Sequence, residues 1–268
     1  DLLKAESIGD LIHAETELQR EQAVNLVQGN ASNYYNDLRE KLIKSLSYIE
    51  AKIDFAEDDL PEKVLKGVYE SIKDIHQGIK KILEDNRIGE KIRDGFRVSI
   101  IGEVNAGKSS LLNLLSKREV AIVSEEEGTT RDVIEIFLNI DGYPVILADT
   151  AGIREAKNEV EKKGISLALG KAKDADLNII MIDNSSKDIN RKIKDLINND
   201  SIVLLNKSDI KNKQIHKFDA DTILVSVKDD KNLDIFTKKL KEKLSNKFIP
   251  NNNILITRER HRIKLNEC

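Results

Sequence analysis

A chain of 268 residues, 40% apolar and 34% charged, is long enough for one large domain or two modest ones, with a buried core beneath a very polar surface. Its net charge of −3 provides no global attraction to nucleic acid or anionic lipid, so any RNA contact must come from a local patch. A single cysteine, Cys268, excludes a disulfide framework; with no apolar run of membrane-spanning length and no signal peptide, the expected location is cytoplasmic, away from any membrane.

Residues 1–94 read as the first part of a helical bundle. Leu65, Val68, Ile72, Ile75, Ile79 and Ile82 alternate spacings of three and four, as the seam of a packed helix pair does. Leu38, Leu42, Ile49 and Ile53 give a second helical stripe, and "GNASN" (29–33) and "DDLP" (58–61) carry the signals of helix ends. No residue of this region points to catalysis. The chain starts at Asp1 inside one helical pattern and stops in "RERHRIKLNEC" inside another, so it is expected to be a fragment of a longer protein.

At Gly95 the period changes, and residues 95–249 read as a separate unit. "FRVSII" (96–101), "VIEIFLNI" (133–140), "PVILAD" (144–149), "LNIIMID" (177–183), "SIVLLN" (201–206) and "TILVSV" (222–227) are predicted strands. "IDGYP" joins the second and third as a hairpin, because Asp-Gly favours a tight two-residue turn. The remaining connections, "NEVEKKGISLALGKAKD" and "KNLDIFTKKLKEKL" among them, are long enough for helices, which implies a mostly parallel sheet covered on both faces. After "FIPNNN", residues 250–268 resume a helical pattern, so the α/β unit is predicted to be inserted in an all-α helical-bundle domain.

"GEVNAGKS" (102–109) fits G-x-x-x-x-G-K-[ST] in the required strand–loop–helix setting. Only glycines let successive N–H groups turn inward around a phosphate without a Cβ clash. The cradle runs through Asn105, Ala106 and Gly107 to Ser109 and Ser110; Lys108 is placed to reach the β- and γ-phosphates, and Ser109 to ligate Mg²⁺. The helix N-terminus adds its dipole. "DTAG" follows a strand: Asp149 suits Mg²⁺ held through water, and Gly152, after Thr150 and Ala151, can offer its N–H to a γ-phosphate. "NKSD" (206–209) selects the base. Asp209 can accept N1–H and N2–H of guanine, while adenine would leave that carboxylate unpaired. Asn206 and Lys207 are expected to brace the loop and cover the base, and "SVK" (Ser226, Val227, Lys228) to support it through backbone groups. "GTTRD" (Gly128 to Asp132) carries Thr129 and Thr130, the latter suited to close over Mg²⁺ and the γ-phosphate as a switch loop. Each motif alone also fits an ordinary polar turn. Their order points to an α/β P-loop GTPase domain.

"GDLIHAETELQREQA", "NAGKSSLLN", "GTTRD" and "DTAGIREAKNEVEKKGI" together resemble the MnmE (TrmE) family of tRNA-modification GTPases, over essentially the whole chain. Ile153 stands where many GTPases carry a glutamine and cannot polarise water; Glu155, Glu159 and Glu161 are the nearby acids, and spacing does not choose between them. The resemblance implies Glu161, acting through water, with Lys108 and Thr130 completing the catalytic set. It also implies that Asn105 ligates K⁺ beside the phosphates, with backbone carbonyls of Ser124 and Glu126 and an oxygen of Thr129; the run Glu125–Glu127 departs from the less acidic loop expected there. Implied partners are MnmG (GidA) and tRNA, whose wobble uridine is modified, within a homodimer whose G domains meet across nucleotide. The family's folate-binding N-terminal domain and Cys-Ile-Gly-Lys tail are absent from this sequence, and Cys268 does not match the tail cysteine. A folate derivative is therefore expected only with the full-length protein. The four histidines, His13, His76, His216 and His261, show no ligand spacing, so no metal beyond Mg²⁺ and K⁺ is predicted. Two rival readings are a regulatory or ribosome-assembly GTPase switch and a truncated gene product serving as a helical scaffold.

Overall fold

A computed structural model describes residues 2–55, 62–118, 121–122, 135–149, 170, 172–186, 189–210, 218–247 and 254–268. In chain order the elements are α1 (Leu2–Ile12), α2 (Glu17–Val27), α3 (Asn30–Asp54), α4 (Glu62–Leu83), α5 (Ile88–Asp94), β1 (Phe96–Gly102), α6 (Lys108–Arg118), β2 (Ala121–Ile122), β3 (Glu135–Ile140), β4 (Tyr143–Asp149), β5 (Leu177–Asp183), α7 (Arg191–Lys194), β6 (Ile202–Asn206), β7 (Asp221–Leu224), α8 (Leu233–Lys247) and α9 (Glu259–Glu267). They form two compact units: Asp1–Ala14, Gln19–Arg93 and Pro250–Cys268 make one, Glu15–Leu18 and Asp94–Ile249 the other.

The first unit is helical. Ala23, Leu26, Ala31, Leu38, Val68, Ile75, Ile92 and Ile256 are its buried apolar residues. The two predicted stripes are only partly covered. Val68, Ile75 and Leu38 are buried, but Leu65, Leu42 and Ile53 remain 47%, 46% and 70% exposed. Periodicity marks an apolar face; it does not say how much of that face a neighbouring helix shields.

The segment that returns to this unit is held tightly against α5. A Cβ on Gly89 would lie 2.1 Å from the carbonyl oxygen of Ile256, so only glycine permits that approach. Gln22 Nε2 donates to Gly89 O at 2.9 Å, and Tyr35 Oη donates to Leu255 O at 3.1 Å. Burial, with Tyr34 adding to it, pushes the Tyr35 phenol up to about 12, so it stays a donor. Charge reinforces the junction. Asp10 of "GDLI" receives Arg93 at 3.1 Å and Arg258 at 2.8 Å, while Arg262 reaches Asp85 at 2.6 Å and Glu90 at 3.2 Å.

The second unit is a seven-stranded sheet in the order β2-β3-β4-β1-β5-β6-β7. β1 runs parallel to β4 on one side and β5 on the other, β5–β6 and β6–β7 are parallel, and β2–β3 and β3–β4 are antiparallel. Ile179 to Ile182 of β5 and all five residues of β6 are buried, which requires cover on both faces and explains why these strands read as continuous apolar runs. One cover is the cluster of Ile101, Ile180, Ile182, Val203 and Leu205 with Ala172, Ile189 and Ile193. α6 and α8 bury Leu111, Leu112, Leu115, Leu233, Phe236, Leu240 and Leu244.

The β3–β4 turn has positive φ at both Asp141 (51°) and Gly142 (92°), the geometry that an Asp-Gly pair favours. Leu18 N donates to Gly142 O at 3.2 Å and Asn139 Nδ2 to Glu15 O at 3.2 Å, which is why residues 15–18 pack with the sheet although the sequence places them among helices. β7 ends at Leu224, short of the predicted 227, because Ser226 turns to bridge Lys231. Among the described residues no helix is long and apolar enough to cross a membrane.

Gly89→Ala is expected to lower unfolding free energy by about 1–3 kcal/mol, since the rigid Ile256 backbone must move. Urea denaturation checks this; an unchanged midpoint would show that the approach is not tight.

Candidate phosphate- and base-binding site

β1 is flanked by β4 and β5 on opposite sides, and the crevice beyond its carboxyl end is where an open parallel sheet binds ligands. Gly102 ends β1, Asp149 ends β4, Asp183 ends β5 and Asn206 ends β6, all along this one edge.

The loop after β1 is shaped by close approach. A Cβ on Gly102 would lie 2.2 Å from Met181 O, and one on Gly107 (φ 104°) would lie 2.2 Å from Asn206 Nδ2. Asn105, between them, is also left-handed at φ 62°, a conformation asparagine tolerates better than most residues. Its side chain is exposed and makes no hydrogen bond among the described residues. Ala106 is buried, and Ser109 and Ser110 stand exposed in the first turn of α6. The Lys108 side chain is buried and folds back over the loop, its Nζ donating to Gly102 O at 2.8 Å and Glu103 O at 2.7 Å. A buried ammonium beside the N-terminus of an 11-residue helix makes a site of positive potential suited to phosphate.

One side chain joins this loop to the far end of the edge. Asn206 is buried; its Nδ2 donates to Ala106 O at 2.8 Å and its Oδ1 accepts from Val227 N at 3.1 Å. The amide thus ties the phosphate loop, the end of β6 and the "SVK" turn together. Val227 is itself buried. Asp209 is exposed, and its Oδ1 accepts from the buried Ser226 Oγ at 2.9 Å, which orients the carboxylate. Ser226 Oγ in turn accepts from Asp229 N at 3.2 Å, and Ser208 N donates to Val225 O at 3.1 Å. Lys228 is exposed at the tip of the turn.

Two participants carry no motif signal. Asp183, the last residue of "LNIIMID", receives Lys207 Nζ at 2.6 Å. Burial acts to raise its pKa, but the Lys207 ammonium and the hydroxyl and N–H of Ser185 outweigh it and hold the carboxyl below the ordinary range. Glu103, inside the glycine loop, accepts from Asn190 N at 2.8 Å just before α7. A carboxylate ending a buried parallel strand beside "NKSD" was the available signal for Asp183.

The structure therefore brings together Asn105, Ala106, Gly107, Lys108, Ser109, Ser110, Asn206, Lys207, Asp209, Ser226, Val227 and Lys228, with Asp149 at the end of β4. Ser124, Glu126, Gly128, Thr129, Thr130, Thr150, Ala151, Gly152 and Glu161 lie outside the described residues, as do Glu155 and Glu159. Among the described residues no three His, Cys, Asp or Glu side chains cluster to hold a metal.

A parallel sheet with its glycine loop at the central switch point and an Asn-Lys-x-Asp turn two strands away defines an α/β P-loop fold of the GTPase class, set within the sequence of a helical domain. The chain belongs to the MnmE family: the family described as MnmE helical domain matches residues 2–268. It is similar to the "tRNA modification GTPase MnmE" of Pelagibacter ubique, 55% identical over 269 residues that cover 100% of this chain and 61% of that protein. The proteins of the same name from Rickettsia bellii and Rickettsia typhi are 44% and 42% identical over 274 residues, each match covering 100% of this chain and 62% of the relative. The chain thus spans 61–62% of the length of these relatives.

Asn206→Ala strands Ala106 O and Val227 N together. It is expected to cost about 1–3 kcal/mol of stability and to speed deuterium exchange at the Val227 amide. Exchange at the wild-type rate would show that the turn is held by other means.

Proposed function

We propose that this chain is the GTP-hydrolysing part of a tRNA-modifying enzyme that acts on the wobble uridine. The observation that carries the reading is the Asn206 amide, bonded at once to the phosphate loop and to the turn that would support a purine. A nucleoside triphosphate needs those two ends held at a fixed separation. Membership of the MnmE family, and relatives named as tRNA modification GTPases, support the same reading.

Lys108 and the N–H groups opening α6 would hold the β- and γ-phosphates, and Asp209, oriented by Ser226, would accept N1–H and N2–H of guanine. Ser109 and Thr130 would ligate Mg²⁺, with Asp149 acting through its water shell and Gly152 donating to the γ-phosphate. Asn105, with Ser124, Glu126 and Thr129, would hold K⁺; a monovalent cation there offsets the charge that develops between the β- and γ-phosphates. The exposed amide of Asn105, free of bonds to the described part of the loop, suits a ligand better than a brace. Glu161 would orient the attacking water, since Ile153 cannot.

In the full-length protein the partners would be MnmG and tRNA. The protein would work as a cytoplasmic homodimer whose G domains meet across nucleotide, with a folate derivative bound outside residues 1–268. A regulatory or ribosome-assembly switch could use the same site, but the family match across the helical segments favours the modification enzyme.

GTP hydrolysis is expected to rise when Na⁺ is replaced by K⁺, and Asn105→Ala to abolish that difference; equal rates in both salts would remove the role assigned to Asn105. Glu161→Ala is expected to slow hydrolysis about 100-fold with GTP affinity nearly unchanged. A matching loss of affinity in an equilibrium titration would assign Glu161 to binding instead.

A further inference from the structure

Asp183 belongs to none of the sequence motifs, yet it anchors the lysine of "NKSD". Lys207 leaves the end of β6 in left-handed backbone, φ 63°, and its side chain reaches across to the end of β5, with Nζ 2.6 Å from Asp183 Oδ2. The carboxylate is held in its turn: Oδ1 accepts from Ser185 N at 2.9 Å and from Ser185 Oγ at 2.6 Å. The strand register sets Asp183 opposite Asn206, and Asn184 N donates to Asn206 O at 3.0 Å. The lysine is thus fixed at both ends, backbone and ammonium, beside the amide that joins the two halves of the site.

A lysine stem fixed in this way is an apolar strip rather than a mobile tether. We infer that Asp183 is a positioning residue for the base: it holds the Lys207 ammonium so that the stem forms a fixed cover on one face of the guanine that Asp209 selects. This rests on the guanine-nucleotide reading of the site. Asp183 does not touch the nucleotide; it acts through Lys207. Because the pair is in place before nucleotide arrives, the ordering cost of binding falls, and the effect is expected in the dissociation rate more than in association. The two side chains are 33% and 21% exposed, so solvent moderates the effect without removing it.

The test is release of fluorescently labelled GDP from the full chain, followed by stopped flow for wild type, Asp183→Asn, Lys207→Met and the double variant. Asp183→Asn is expected to speed release about tenfold, and the double variant to release no faster than Lys207→Met alone. Asp183→Glu, which keeps the charge, is expected to return the rate to within about twofold of wild type. Should Asp183→Asn melt as an unfolded chain, Asp183→Ser carries the same expectation. An unchanged rate in the uncharged variant, or effects that multiply in the double variant, overturns the inference. Failure of the wild type to bind labelled GDP overturns the guanine reading, and the inference with it.

Discussion

The buried amide of Asn206 sets the distance between the two ends of the site. It donates to the carbonyl of Ala106 in the glycine loop and accepts from the amide of Val227 in the turn after β7. Buried amide groups must find partners, and here both are backbone atoms of separate loops. Gly107 is glycine partly for this reason, because a Cβ there would collide with the Asn206 side chain. Without the amide, the positive cradle of Lys108 and the carboxylate of Asp209 would be features of two unrelated loops.

That bond depends in turn on the sheet. β1, β5 and β6 are parallel and buried on both faces, so their ends are fixed by the core rather than by local turns. The register pairs Gly102 with Met181 and Asp183 with Asn206, which lines the chemical groups along one edge. The left-handed residues Asn105, Gly107 and Lys207 lie where the chain leaves this edge, and there the backbone turns sharply enough to face a ligand.

Much of this was legible in the sequence. Strands buried on both faces are continuous apolar runs, and "LNIIMID" matches β5 residue for residue. A phosphate cradle demands glycine and lysine at fixed spacing, and an Asp-Gly turn demands positive φ, so both are written locally. What the sequence hides are pairings between distant residues. Asn206 bonds a carbonyl 100 positions away, and Asp183 pairs with a lysine 24 positions on; neither follows from spacing. Glu103 reads as an unassigned loop position until Asn190 is seen to donate to it. The stripes of α3 and α4 are legible, but Leu42, Ile53 and Leu65 show that periodicity records a face without recording its cover.

The proposed function requires one pocket to hold a triphosphate at the glycine loop and to choose its purine by the carboxylate of Asp209. Calorimetric titration of the folded chain with GTP and with ATP in parallel tests it most directly. Heat on GTP addition, with at least about a hundredfold weaker response to ATP, is the predicted result, because adenine turns an acceptor at N1 toward the Asp209 carboxylate and offers it neither of guanine's N–H donors. Equal affinity for the two nucleotides, or heat with neither, would contradict the account.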